Sequence, residues 1–176
     1  MSVKYHTQNQ VLLDNLLLFY NAKNLDKVIN IINGKSKISL RLIDWFVTNY
    51  AKKNFIIYNI TENEEKKRFK VYQDYKLKLK AYSKKRFDPF CRHERITIPY
   101  KNNTSMETTI GQLNFFRWYI KNNISSYILN NNNNIENDIK KRNNNKKKGI
   151  NKRKELSICA TKTIKKEKVE ITVKFS

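Results

Sequence analysis

Positive charge dominates this chain and limits the ways in which it can fold. Its 176 residues include 37 Lys and Arg but only 15 Asp and Glu, which gives a formal net charge of +22. The first 135 residues hold 23 basic and 10 acidic residues, and the last 41 hold 14 and 5, so the excess is not confined to a tail. Because like charges repel each other in a compact chain, the pattern predicts a polyanionic partner such as nucleic acid.

The segment Lys66–Arg95 concentrates this charge, with 12 basic and 3 acidic residues. Basic side chains neutralise phosphates, so these 12 residues are the predicted nucleic-acid-binding set. They are Lys66, Lys67, Arg68, Lys70, Lys76, Lys78, Lys80, Lys84, Lys85, Arg86, Arg92 and Arg95. Lys84, Lys85 and Arg86 form the densest cluster, directly before a loop that contains Pro89.

Aromatic residues are interleaved with these cations and allow two interpretations. They are Phe69, Tyr72, Tyr75, Tyr82, Phe87 and Phe90. On a surface, such rings stack on unpaired bases. Burial in the core is the favoured interpretation for most of them, because large aromatic side chains are usually buried. Codon composition is an alternative explanation of the Lys excess. Asn, Lys and Ile have AT-rich codons, and residues 130–134 are all Asn.

The composition indicates a folded chain in a reducing compartment. Hydrophobic residues make up 39% and aromatic residues 12%, which is too much apolar material for a disordered protein. With only 3 Gly and 2 Pro, we expect long regular elements. No signal peptide is evident at the N-terminus, and the longest apolar run, Leu16–Tyr20, is too short to span a bilayer. Cys91 and Cys159 do not make a disulfide framework.

The N-terminal part of the chain has the apolar periodicity of helices. The apolar spacing predicts helices over Val11–Asn21, over Leu25–Asn33 with Asn24 as the N-cap and Gly34 as a left-handed C-cap, and after Ser39. A later helix, from Thr109 to about Lys121, is predicted to begin with a capping box in which Thr109 and Gln112 satisfy each other's amides. A further helix is expected over residues 124–129.

Short strands are predicted in the second half of an α+β fold. They cover Phe55–Ile60, Lys66 to about Val71 (followed by a helix) and Arg95–Tyr100, with a loop over Lys101–Ser105. The predicted organisation is an α+β core over residues 1–129, a disordered Asn/Lys-rich insertion over 130–154, and a C-terminal β-hairpin over 155–176 that packs on the core. Its strands are Leu156–Ile164 and Val169–Phe175, joined by residues 165–168.

The sequence contains no specific catalytic or metal motif. Cys91 and His93 form one short pair of possible zinc ligands, and His6 and Cys159 lie far away in sequence, whereas structural zinc sites usually use two short pairs. Asp44 and Asp88 are interpreted as ion-pairing or capping residues. A Gly-rich phosphate loop, HExxH and GxSxG are all missing from the sequence. We therefore expect a protein that is not an enzyme and uses no metal or cofactor.

Four segments resemble a family of small basic proteins of nucleocytoplasmic large DNA viruses, of the mimivirus and chlorovirus kind. They are ISLRLIDWFVTNYAKKN, YKLKLKAYSKKRFDPFCRHERI, TTIGQLNFFRW and ELSICATKTIKKEKVEITVKF, beginning at Ile38, Tyr75, Thr108 and Glu155. The resemblance brings no catalytic residues. It implies a setting rich in DNA, either a viral factory in the host cytoplasm or the virion.

Three functional hypotheses follow from the sequence. The first is a non-enzymatic nucleic-acid-associated protein, acting on DNA in late transcription or genome packaging and contacting phosphates largely without regard to sequence. The second is a virion structural or adaptor protein whose basic surface holds an acidic viral protein or a membrane face. The third and weakest is an enzyme with an unrecognised site.

Overall fold

An α+β architecture surrounds one central, largely buried helix, Ile110–Lys121. The computed structural model describes residues 7–62, 64–101, 104–147 and 166–168. In chain order, the elements are α1 (Gln8–Phe19), α2 (Ala22–Ile32), α3 (Leu40–Trp45), a π-helical segment (Phe46–Tyr50), α4 (Ala51–Lys53), β1 (Ile57–Glu62), β2 (Glu65–Lys70), α5 (Val71–Arg86), β3 (Arg95–Tyr100), β4 (Thr104–Thr109), α6 (Ile110–Lys121), α7 (Ile124–Asn130), α8 (Asn132–Lys147) and β5 (Lys166–Lys168).

Polar side chains cap the leading helices. Thr7 caps α1, Asn21 caps α2 and Ser39 caps α3, each accepting a hydrogen bond from an amide three residues later. The N-cap of α2 is therefore Asn21, and the prediction of Asn24 is wrong. Ala22 and Lys23 already belong to the helix, so Asn24 lies within its first turn and not before it. Gly34 has a φ of +70°, which confirms the predicted left-handed helix end.

Two separate antiparallel sheets complete the described part of the chain. In the first, β1 pairs with β2 from Ile57↔Lys70 to Glu62↔Glu65. In the second, the order is β3-β4-β5. The loop predicted over Lys101–Ser105 is wrong from Thr104 onward, because β4 begins there and pairs Thr104 with Tyr100. Apolar alternation is weak in this polar segment, so the strand forms through its pairing with β3.

The third strand of that sheet, β5, consists of residues predicted to be a turn. Lys166 and Lys168 pair with Met106 and Thr104 of β4. The prediction that residues 165–168 connect two strands is therefore wrong over 166–168. The pairing satisfies backbone groups along the edge of β4 that is not paired with β3. The strands predicted over 156–164 and 169–175 lie outside the described residues.

Helix α8 overturns the prediction of disorder over Asn132–Lys147. Ile135 is fully buried, and Ile139, one turn later, is partly buried against the same core. Trp45 Nε1 donates to Asp138 Oδ2 at 3.1 Å, and Lys53 Nζ lies 2.8 Å from Asp138 Oδ1. One apolar face and a few polar contacts thus hold a helix whose overall composition is typical of disorder.

Helix α6 carries the centre of the core. Leu113, Phe115 and Phe116 are fully buried, and Trp118 and Tyr119 are nearly so. At its start, Thr109 Oγ1 accepts from the Gln112 amide at 3.0 Å, as predicted. The reciprocal half of the capping box is replaced, because the Gln112 side chain accepts from Thr108 Oγ1 and donates to the Pro89 carbonyl, both at 2.9 Å.

Candidate nucleic-acid interface

An open groove lies between β2, α5 and α6. Its volume is about 760 Å³. The basic side chains that line it are Lys67, Arg68, Lys70, Lys78, Arg117 and Lys121. Among the described lining residues, Asp74 is the sole acid. We call this surface the basic groove. Its excess of positive charge makes it a favourable place for an anion.

Hydrogen bonds fix the position of two polar groups on the groove wall. Asp74 Oδ1 accepts a hydrogen bond of 2.5 Å from Trp118 Nε1, so part of this carboxylate is already engaged by the protein. Asn114 Oδ1 accepts from Arg117 Nη2 at 3.1 Å, and Asn114 Nδ2 donates to the Arg86 carbonyl at 2.9 Å. Asn114 therefore ties Arg117 to the end of α5 and orients its guanidinium.

Buried aromatic rings form the floor of the basic groove. Trp118 lies 5.6 Å from Phe87 and 6.1 Å from Phe69 between ring centres, and these three side chains are at most 5% exposed. Tyr82 stacks on Phe87 and is only half-buried. Because most ring faces are covered by other rings, the groove offers charge and hydrogen-bond donors more than stacking surfaces.

A close backbone approach joins α5 to α6 beside the groove. Ser83 has a φ of +58°, which breaks the helical path of α5 before its last residues. The chain then runs against Gly111, whose carbonyl accepts from the Asp88 amide at 3.2 Å. A Cβ at Gly111 would lie 2.9 Å from the Lys85 carbonyl oxygen, so the approach requires glycine here.

The structure brings four of the twelve predicted binding residues together in the basic groove. They are Lys67, Arg68, Lys70 and Lys78. Lys66, Lys80, Lys84 and Lys85 are exposed but lie outside its lining. Lys76 Nζ lies 5.9 Å from the centre of the Tyr72 ring. The predicted set is therefore distributed over several surfaces rather than one.

The remaining three predicted residues contact protein groups. Arg86 donates to Asn9 Oδ1 at 2.7 Å and to Gln8 Oε1 at 3.1 Å, both on α1. Arg92 forms an ion pair with Asp88, and Arg95 forms one with Glu107. These contacts give all three arginines a structural role in the folded chain.

A buried ion pair organises the loop after α5. Asp88 is 2% exposed, and its two carboxylate oxygens accept from Arg92 Nε and Nη2 at 2.8 and 2.9 Å. The hydrogen bond to Asp88 raises the pKa of Arg92. The interpretation of Asp88 as an ion-pairing residue is confirmed. Burial, and then the charge of Asp88, raise the pKa of Asp44.

The remaining candidates for chemistry show no shared site. Arg95 pairs with Glu107 across β3 and β4. Cys91 is buried, and burial raises the pKa of its thiol, which disfavours the reactive thiolate. Within the described ranges, no three His, Cys, Asp or Glu side chains come together as metal ligands. His6 and Cys159 lie outside those ranges.

Two groove cations, Arg117 and Lys121, were missed by sequence reasoning. Both lie on α6, whose other side chains are mostly apolar and buried. Their spacing of four residues places them on one helical face. A basic i, i+4 pair in an otherwise buried helix is the signal that would have found them. The aromatic residues were predicted better, because the core interpretation is confirmed for Phe69, Tyr75, Phe87 and Phe90.

In the described part of the chain, every helix falls short of the length and apolar character needed to cross a membrane.

No solved structure matches this chain. An uncharacterized protein of Acanthamoeba polyphaga mimivirus is 49% identical over 106 residues. That alignment covers 57% of this chain but only 41% of the mimivirus protein.

A family model described as a family of unknown function, DUF7197, matches residues 1–173, nearly the whole chain. The chain belongs to this family.

Proposed function

We propose that this protein is a non-enzymatic nucleic-acid-binding protein that holds phosphate groups in the basic groove. The observation that carries the proposal is the set of six Lys and Arg side chains that line one groove, where Asp74 is the one acid among the described lining residues and already accepts a hydrogen bond from Trp118. Each phosphate neutralised by such a cation releases condensed counterions from the nucleic acid, which drives binding.

The groove supports contact with the backbone of nucleic acid rather than with its bases. Its aromatic floor is covered, so base stacking inside the groove is not favoured. Lys and Arg side chains reach phosphate oxygens, which are the same in every sequence. The proposed binding is therefore largely independent of sequence, and mixed-sequence duplex DNA is the expected ligand.

The mimivirus relative supports a setting in the replication of a large DNA virus. We place the proposed activity at viral DNA, in the viral factory of the host cytoplasm or in the virion. We propose late transcription or genome packaging as the process that it serves.

The test compares two double variants that remove the same charge. Arg117→Gln/Lys121→Gln changes the groove, while Lys84→Gln/Lys85→Gln changes exposed lysines outside its lining. Binding to a fluorescent mixed-sequence duplex is measured by anisotropy over a range of salt concentrations. We expect the groove variant to reduce the slope of log binding constant against log salt concentration by about 2, which is about one for each lost phosphate contact. The control should change it much less.

Thermal unfolding of both variants shows whether either change disturbs the fold. Equal losses in the two variants would mean that diffuse charge, and not the groove, holds the DNA. If the wild-type protein binds neither DNA nor RNA at low salt, the proposal fails. The adaptor hypothesis, with an acidic viral protein as the partner, then takes its place.

A further inference from the structure

Phe55 occupies a backbone conformation that normally belongs to glycine. It follows α4 with a φ of +48°, and the Ile56 amide donates to the Ala51 carbonyl at 3.3 Å across it. The same type of helix end recurs after α2, where Gly34 has a φ of +70°. Glycine adopts this conformation without steric cost, whereas a residue with a Cβ is strained there.

Burial does not explain the presence of phenylalanine at this position. The Phe55 side chain is 83% exposed, so its ring gains little from the core. Residues held in an unfavourable backbone conformation cluster at functional sites and ligand contacts, which makes Phe55 a candidate for a contact outside the protein.

Basic side chains surround this ring. A cleft of about 590 Å³ is lined by Phe55 together with Lys52, Lys53, Tyr72, Lys141 and Arg142. We call these six residues the Phe55 patch. Lys52 Nζ lies 5.8 Å from the centre of the Tyr72 ring, on which Lys76 also lies. Asp138, also in the lining, is the partner of Lys53, so the cleft keeps an excess of positive charge.

Helix α8 supplies the far wall of the cleft. The Arg142 guanidinium lies 4.9 Å from the centre of the Trp45 ring, and Arg142 Nη1 donates to Asn49 Oδ1 at 2.5 Å. Asn49 and its neighbour Thr48 belong to the π-helical segment, a type of helical distortion that recurs at functional sites. Arg142 is thus held in place before any ligand arrives.

We propose that the Phe55 patch binds single-stranded nucleic acid, with an unpaired base stacked on Phe55 and phosphates held by Lys52, Lys141 and Arg142. An exposed ring beside a cationic groove is the arrangement that proteins use for unpaired strands. A membrane is the weaker occupant. Among the described lining residues, Phe55 is the one side chain without a polar group, whereas membrane contacts use several apolar side chains. This inference rests on the proposed function and adds a second surface and a ligand class to it.

The two surfaces lie next to each other on α5. Tyr72 lines the Phe55 patch and Gln73 lines the basic groove. Because successive residues of a helix are separated by about 100° around its axis, the surfaces occupy adjacent faces of this helix. A nucleic acid with both paired and unpaired segments would reach both.

The test separates loss of the ring from loss of the fold. Phe55→Gly removes the ring and relieves the backbone, so the variant should melt at or above the wild-type temperature. We expect its affinity for a fluorescent oligothymidine to fall by roughly 5- to 100-fold, which corresponds to the loss of one stacked base. Phe55→Trp should bind at least as well as the wild type. Leu18→Ala, at another exposed apolar residue, should change nothing.

Parallel titrations distinguish the possible outcomes. Oligouridine replaces oligothymidine in one arm, and Phe55-dependent binding of either supports the inference. If Phe55→Gly binds both strands as the wild type does, the inference is wrong, while the duplex experiment with Arg117 and Lys121 still decides the basic groove. If Phe55→Gly loses binding to phosphatidylserine vesicles but keeps oligothymidine, the patch is a membrane contact and the inference is overturned.

Discussion

The Trp45 indole nitrogen donates a hydrogen bond of 3.1 Å to Asp138, 93 positions later in the chain. The other carboxylate oxygen of Asp138 accepts from Lys53 at 2.8 Å. Through these two bonds, a helix composed mainly of Asn, Lys and Arg is joined to α3 and α4. The carboxylate is the centre of the connection, because it is the acceptor in both bonds.

Replacing Asp138 with Asn should cost about 1 kcal/mol of unfolding free energy at pH 7. Burial alone would raise the pKa of Asp138, but the bonds from Lys53 and Trp45 outweigh burial and hold the pKa below the ordinary value of 3.8. The folded carboxylate thus binds protons more weakly than the unfolded one. Its contribution is complete above about pH 4 and is lost as the pH falls through the lower folded pKa. Urea unfolding between neutral and acidic pH measures it. A difference between variant and wild type that stays constant with pH would contradict this origin.

Ile135→Ala should destabilise the protein by about 3 kcal/mol, because it empties a fully buried position. Asn137→Ala, on the exposed side of the same helix, is the matched control and should change stability by less than about 0.5 kcal/mol. Urea unfolding followed by circular dichroism gives both values. Equal midpoints for Ile135→Ala and the wild type would show that α8 does not pack on the core in solution.

Gly111→Ala and Gly34→Ala test two different reasons for glycine. At Gly111, the new methyl group would meet the backbone of Lys85 at 2.9 Å and of Phe87 at 3.3 Å, so we expect a loss of about 2 kcal/mol. At Gly34, nothing lies within 4 Å and only the positive φ is unfavourable, so the loss should be about 1 kcal/mol. Chemical denaturation ranks the two. The reverse order would mean that α5 and α6 do not approach each other as described.

Thr109→Ala should cost about 1 kcal/mol by leaving the Gln112 amide without its acceptor at the start of α6. Thr109→Ser keeps the hydroxyl and should recover most of that stability. Thermal unfolding of the two variants separates the hydrogen bond from the methyl packing. If the serine variant is as unstable as the alanine variant, packing rather than capping is the role of Thr109.

Local signals in the sequence predicted much of the fold. Ser39, Gly34 and Thr109 were identified as helix ends because capping depends on residues only a few positions apart. The strand β4 and the helix α8 were missed for a different reason. Each contributes little apolar surface of its own, Met106 and Ile135 being the fully buried apolar residues of these two elements. β4 is held by backbone pairing with the neighbouring strand β3, which leaves little signal in its side chains, whereas α8 is held by Trp45 and Lys53, which are distant in sequence.

The candidate site was predictable only in part for the same physical reason. Lys67, Arg68, Lys70 and Lys78 lie within a dense basic segment, so charge density indicated them. Arg117 joins them only because α6 packs beside α5, with Asn114 bridging to the Arg86 carbonyl. Charge density also indicated Arg92, whose partner is the buried Asp88 instead. A linear count of charge does not distinguish a cation that faces solvent from one that is paired.

The basic groove takes its cations from two separate stretches of chain, one in β2 and α5 and the other in α6. Folding therefore brings like charges together, and the native state carries a repulsion that the unfolded chain largely escapes. A polyanion that fits the groove binds the native state more tightly than the unfolded chain, so mass action shifts the folding equilibrium toward the native state. The protein's own thermal stability becomes a gauge of occupancy. Inorganic polyphosphate should raise the melting temperature of the wild type more than that of Arg117→Gln/Lys121→Gln, with no label on either molecule.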